Sequence, residues 1–469
     1  MNRNFLLALL LSIFSSPLCL AEQPQTMRVD FYHTGNRDIE MFSLDQVVLE
    51  PLPFSGNMLQ PIDSTFRGKY AFAVVDPDSG NVAWSRSFSS IYGEWETTGE
   101  AREINRTFHE SMRFPAQVRP FDIVVSKRGA GNKFEEVWRA RIDPEDFLVH
   151  QESAAYAGQV VAIQDNGDPA QKVDLLILGD GYTEEETDEF LARAREMTEI
   201  LFAASPFSER RSDFNVWALA PLAAESGVSR PSTGIYRDSP LGTSYDAFRS
   251  ERYVLTYDNK SFRRIASSVP YDFVEILSNS ETYGGGGIYG LYGTTAANSE
   301  WGAYVFVHEF GHHFAGLADE YYTSSVAYET PEQIEEPYEP NVTALKDPAM
   351  LKWAHLVDEN TPLPTPWPKE EYEEHSLAYQ AKRTKMREEN VPESEMNKLF
   401  RANQDFVEAL FSRAKHRNDI GAFAGANYHA TAFYRSELNC IMFTRTRDFC
   451  AVCSEAIEAV IDEYAKPAN

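Results

Sequence analysis

The chain has 469 residues, 43% of them hydrophobic and 13% aromatic, which is enough apolar material for two or three folded domains and too much for wholesale disorder. Its 71 acidic against 43 basic side chains give a formal net charge of -28, so a phosphate backbone would be repelled and no nucleic-acid partner is expected. Past the first 21 residues no apolar run approaches the ~20 residues of a membrane helix, so no membrane span is expected.

Residues 1–21 read as a signal peptide. Arg3 supplies the positive start, FLLALLLSIF over 5–14 is an apolar stretch too short to span a bilayer, and Cys19 and Ala21 stand at −3 and −1 of a cleavage site. The mature chain is therefore expected to be secreted or periplasmic. Residues 22–155 read as an all-β sandwich accessory domain. MRVDFYH, YAFAVVD, DIVVSKR and EVWRARI are rich in strand formers, and turn clusters such as Asp76-Pro77-Asp78-Ser79-Gly80 separate them. No catalytic constellation lies there, and the polar stretch QDNGDPAQ marks a boundary.

From 165 to 469 the pattern is α/β. Val173–Leu178 is a buried-type strand, Thr183 and Glu186 form a capping box that opens a helix to about Phe202, and Phe214–Leu219 is a second strand. Asp180 at the first strand's end reads as a turn former. The glycine run in Tyr283–Tyr289 is either an edge strand to which a substrate peptide adds or a flexible loop. Residues of about 324–420 read as a mostly helical insertion, with helical spacing at Leu399, Phe406, Leu410 and Phe411. Within it, Asn341-Val342-Thr343 spells a glycosylation sequon. Three cysteines follow, Cys440, Cys450 and Cys453. Outside the cytoplasm one disulfide is expected, from Cys440 to Cys450 or Cys453, with the third thiol free. Cys450-x-x-Cys453 as a zinc pair lacks a second pair to complete it.

The chemistry concentrates in WGAYVFVHEFGHHFAGLADEYY at 301–322. On a helix, His308 and His312 are one turn apart on one face, a spacing that lets two neutral imidazoles chelate one Zn2+. Glu309 beside them is placed to take a proton from a zinc-activated water and pass it to the leaving amine. Gly316 can end the helix and turn the chain back, so that a following carboxylate becomes the third ligand. Asp319 is the first choice and Glu320 the alternative. His313, about 100° away round the helix, reads as a packed or supporting residue. His355 and His429 are isolated.

Several stretches resemble the IgA-cleaving zinc metallopeptidases of bacteria: LILGDGYTEEE, FNVWA, GGGGIYG, VFVHEFGHHFAGLADEYY, LKWAHL and YRSELNCIMF with FCAVC, spread over most of 170–456. The resemblance implies a zincin-type catalytic domain with His308 and His312 as zinc ligands and Glu309 as general base. It also implies that Met442 is the methionine of a tight turn flooring the metal, and that Tyr434 is a possible hydrogen-bond donor to the oxyanion. This chain departs from HExxHxxGxxH in having its glycine one residue later and no third histidine, which leaves Asp319 or Glu320 open. The implied function is an exported zinc endopeptidase acting on a protein or peptide substrate; the family name does not fix that substrate. A zinc amidase acting on cell-wall peptides and a non-catalytic adhesion or binding protein on a zincin scaffold are the alternatives.

Overall fold

A computed structural model describes residues 23–153, 159–324, 326–329 and 334–465, so the expected signal peptide lies outside the described residues. The N-terminal part is two four-stranded sheets. One has the order β5 (Arg106–Pro115), β1 (Gln25–Gly35), β2 (Glu40–Pro53) and β8 (Val149–Gln151); the other β4 (Val82–Phe88), β3 (Tyr70–Val75), β6 (Phe121–Arg128) and β7 (Phe134–Ile142). Alternation drives the packing: Tyr70, Phe72 and Val74 of β3 are buried while the residues between them are half-buried. Met27, Val29 and Phe31 of the first sheet share one core with Phe72, Val74, Trp84 and Ile123 of the second. A five-residue helix, α1 (Ile91–Trp95), interrupts the strands.

The rest is built on a six-stranded sheet of order β13 (Gly285–Ile288), β14 (Tyr292–Ala296), β12 (Phe273–Ser278), β10 (Val173–Asp180), β11 (Phe214–Leu219) and β9 (Val161–Gln164). The four central strands are parallel and both edges antiparallel. Parallel strands are covered on both faces, and β10 is buried along its whole length. Its Val173, Leu175 and Ile177 face one core, which also takes residues of α2 (Thr187–Leu201), α4 (Gly302–Ala315) and α7 (Ala451–Tyr464). Its Leu176 and Leu178 face another, made with α3 (Asn259–Ala266) and with Ile91, Tyr92, Trp95 and Phe108 of the N-terminal part. The capping box of Thr183 and Glu186 is present at the start of the segment leading into α2.

Residues 334–368 depart from the expected helical insertion. They are irregular apart from β15 (Val342–Thr343) and two short 3-10 turns. Pro337, Pro340, Pro348, Pro362, Pro364, Pro366 and Pro368 remove amide donors too often for a helix to run. Helix begins only at α5 (Lys369–Glu388) and α6 (Glu393–Ser412). β15 joins β17 (His429–Arg435) and β16 (Phe423–Ala426) in a small third sheet. Asn341 is fully buried, with its amide bonded to Ala318 and Glu320, so the sequon reading has no accessible side chain to rest on. No helix among the described residues is long and apolar enough to cross a membrane.

Candidate metal centre

Helix α4 carries the site, and its surroundings fix both its ends and its distance from the sheet. Gly316 ends it in the left-handed conformation, with φ 59°. There Arg67, from the N-terminal part, donates to the Ala315 carbonyl at 2.6 Å, a cation placed at a helix C-terminus. Against β13 the helix lies so close that a Cβ on Gly287 would stand 2.4 Å from the Glu309 carbonyl oxygen and 3.0 Å from the His312 Cβ. The glycine run thus serves helix approach. Its outer side is partly occupied too, since the Val254 amide donates to the Gly285 carbonyl and the Gly285 amide to that of Arg252.

The two histidines are oriented by their other ring nitrogens. His308 Nδ1 donates to the Ile441 carbonyl at 2.9 Å and His312 Nδ1 to that of Leu317 at 2.6 Å. A carbonyl can only accept, so each Nδ1 carries a proton, and Nε2 is the ring nitrogen left to face a metal once any proton on it is displaced. The two Nε2 atoms are 3.2 Å apart, and Asp319 Oδ1 lies 3.1 Å from that of His308 and 3.2 Å from that of His312. The Glu309 carboxylate lies within 4.8 Å of both imidazole ligand atoms.

Electrostatics match that geometry. Burial works to raise the Asp319 pKa, but the His312 charge and hydrogen bonds from both imidazoles hold it well below the usual carboxylate range. Burial would lower His312, yet Asp319 keeps it up at about 9, so a cation entering here displaces a proton. Burial pushes the Glu309 carboxyl up, against the opposing pull of His308 and His312.

Asp319 is held from behind. Tyr428 donates its hydroxyl to Asp319 Oδ2, and the Asn427 amide donates to the Asp319 carbonyl at 3.0 Å. Asn427 and Tyr428 both have positive φ, 46° and 62°, strain that these contacts to 319–321 help to stabilise. Neither residue carried a sequence signal, because both come from a hairpin more than a hundred positions away. Glu320 points elsewhere, into a buried group of thiols, and is not brought to the imidazoles. Met442 is fully buried beneath α4, its sulfur 3.0 Å from where a Cβ on Gly311 would lie, and its carbonyl accepts from the Glu320 amide at 2.8 Å. Tyr434 is paired within the small sheet, opposite Thr343 and Ala424, and does not line the cleft over the imidazoles. His313 is packed under the helix, its Nδ1 3.0 Å from Glu275 Oε1, and burial holds its pKa down at about 3.

The expected disulfide is absent: Cys440, Cys450 and Cys453 are all free and buried. Their sulfurs surround the Glu320 carboxylate rather than pairing with each other.

A cleft opens over the imidazoles and Asp319. Its walls include Glu94 from the N-terminal part, Arg252, Tyr321, Tyr379 and Arg383 of α5, and Gln404 of α6. The helical pair thus forms one side of the approach.

A family model described as IgA Peptidase M64 matches residues 161–461, and one described as Peptidase M64 N-terminus matches residues 21–139. No curated protein matches the chain.

Proposed function

The chain belongs to the IgA peptidase M64 family, and on that premise we propose that it is an exported zinc-dependent endopeptidase that cleaves proteins outside the cell. Membership makes it a peptidase, a hydrolase of peptide bonds. The metal, the residue roles and the location are our reading. So are the zincin-type fold of residues 165–469 and the sandwich arrangement of the accessory domain at 22–155.

One observation carries the reading. His308 Nε2, His312 Nε2 and Asp319 Oδ1 form a triangle with sides of 3.1–3.2 Å, both imidazoles turned by their Nδ1–carbonyl bonds to present Nε2 to it. Ligands about 2.0–2.1 Å from a tetrahedral zinc stand roughly 3.3 Å apart, so the donor set would fit the ion. When bound, zinc would supply Lewis acidity toward a scissile carbonyl and toward water.

The chain's own residues do the rest. Glu309 takes the proton of the attacking water and delivers it to the leaving amine. Its burial favours that work, because a carboxylate with a raised pKa is a stronger base and a better proton carrier near neutral pH. Tyr428 and the 427–428 turn hold Asp319 in place. Tyr434, away from the cleft, has no part in this reading.

A digest of denatured proteins and cell-wall fragments by wild type and Glu309→Ala tests it. Protein cleavage by wild type alone is expected. Equal cleavage by both proteins removes Glu309 from the mechanism, and release of cell-wall peptides without protein cleavage makes the enzyme an amidase instead.

A further inference from the structure

Behind the imidazoles lies a second convergence of ligand atoms that the peptidase chemistry does not use. Cys440 stands in the turn before Met442, Cys450 is the N-cap of α7, and Cys453 lies in the first turn of that helix. Glu320 comes from the segment that carries Asp319. Cys440, Cys453 and Glu320 are 0% exposed and Cys450 2%. One ligand atom from each lies within 4.8 Å of all the others.

The spacing is that of a coordination shell. Cys440 Sγ and Cys453 Sγ are 3.8 Å apart, and Glu320 Oε1 lies 3.6 Å from Cys453 Sγ and 3.9 Å from Cys450 Sγ. A tetrahedral zinc with sulfur at about 2.3 Å and oxygen at about 2.0 Å requires edges of roughly 3.8 Å between sulfurs and roughly 3.5 Å from sulfur to oxygen. Two of the sulfurs, those of Cys440 and Cys450, also accept from donors that favour thiolates. The Cys450 amide donates to Cys440 Sγ at 3.3 Å, and the Cys453 amide and the Ser436 hydroxyl to Cys450 Sγ at 3.4 and 3.2 Å. Two of these sulfurs belong to the positive end of α7.

The carboxylate supplies the second, independent observation. Glu320 Oε2 is fully buried and has no hydrogen-bond partner, a costly state for a polar atom. Arg435, the buried guanidinium nearby, donates to the Gly425 carbonyl at 2.7 Å and stacks on Phe443 at 3.8 Å; its charge acts on Glu320, but it makes no hydrogen bond to Glu320 Oε2. A disulfide would use two of three thiols and leave the third, with the carboxylate, buried and unsatisfied. A thiophilic divalent cation would engage all three thiols and the carboxylate, whose Oε1 also accepts from the Asn341 amide at 3.0 Å.

We propose that Glu320, Cys440, Cys450 and Cys453 hold a second, structural zinc ion. It ties together the segments that shape the catalytic site. Glu320 follows Asp319 directly, its amide is bonded to the Met442 carbonyl, and the neighbouring Ile441 carbonyl orients His308. The second pair that Cys450-x-x-Cys453 needs is supplied by Cys440, 10 residues before Cys450, and by Glu320, 130 residues before it.

Metal analysis of the purified full-length chain tests this. Two zinc ions per chain are expected in wild type and one in each of Cys450→Ser and the double variant His308→Ala/His312→Ala. Should Cys450→Ser fail to fold, cobalt loading of the double-histidine variant still decides: a thiolate-to-cobalt charge-transfer band is expected there. One zinc in wild type and none in the double-histidine variant, a cobalt spectrum without that band, or a disulfide between two of the three cysteines would each overturn the proposal. One zinc that survives the double-histidine substitution would instead keep this site and sink the catalytic one.

Discussion

On the proposed reading Glu309 transfers the proton and His308, His312 and Asp319 ligate the metal, so their substitutions should separate. Glu309→Gln should lower kcat by about 10²–10⁴-fold with metal content unchanged, read by steady-state cleavage beside metal analysis. Tyr428→Phe removes the hydroxyl that holds Asp319 Oδ2 and should weaken metal binding by about 10–100-fold, read by competition with a chelator. That His308, Glu309 and His312 come together was legible because their spacing is a property of one helical turn. The choice between Asp319 and Glu320 was not. Past Gly316 the chain leaves the helix, adjacent side chains diverge, and nothing local says which carboxylate turns toward the imidazoles. Tyr434 and Tyr428 illustrate the same limit. They share a hairpin, yet strand pairing fixes Tyr434 in the small sheet while a left-handed turn sends Tyr428 to Asp319.

Between elements, the decisive contact is α4 against β13. Gly287→Ala would press a methyl group onto the Glu309 carbonyl, so overpacking should destabilise the fold by about 1–3 kcal/mol and lower activity with it. Denaturant unfolding alongside peptide cleavage checks both; an unchanged midpoint would mean that the helix sits further from the strand. The central strands were readable from their apolar runs, and the capping box before α2 from its two residues. The stretch before α5 is not helical although its acidic residues suit a helix, because its prolines forbid one. The thiols depart from the expected disulfide for a related reason. Spacing within 440–453 suggests a local pair, whereas the fold delivers Glu320 into their midst from far upstream.

At the scale of the whole molecule, the N-terminal part is joined to the catalytic part through buried polar contacts. Arg67 closes the end of α4, Arg113 donates to the Tyr271 carbonyl at 3.0 Å, and Tyr253 and Tyr328 donate to Glu94. Glu463 of α7 lies 3.4 Å from Arg86 of β4 and is 4% exposed. Burial pushes its carboxyl up to about 7 in spite of Arg86, so the folded chain holds a proton that the unfolded chain releases near 4.5. This contribution to stability is full below about pH 4.5 and is lost as pH rises through 7. Glu463→Gln cannot ionise and should therefore lose less stability than wild type between about pH 5 and about pH 8, by a difference on the order of 2 kcal/mol in denaturant unfolding. Equal losses would show that Glu463 titrates alike in both states. Little of this interface was visible in sequence, since no pattern in Arg67, Arg86 or Arg113 distinguishes them from surface arginines.

The most direct test of the central claim is an anomalous-scattering map at the zinc edge, from crystals of the full chain grown with zinc. The expected result is a peak bounded by His308 Nε2, His312 Nε2 and Asp319 Oδ1, with the Glu309 carboxylate beside it. Zinc peaks confined to other places, with none at that triangle, would contradict the assignment of this chain as a zinc peptidase acting through these residues.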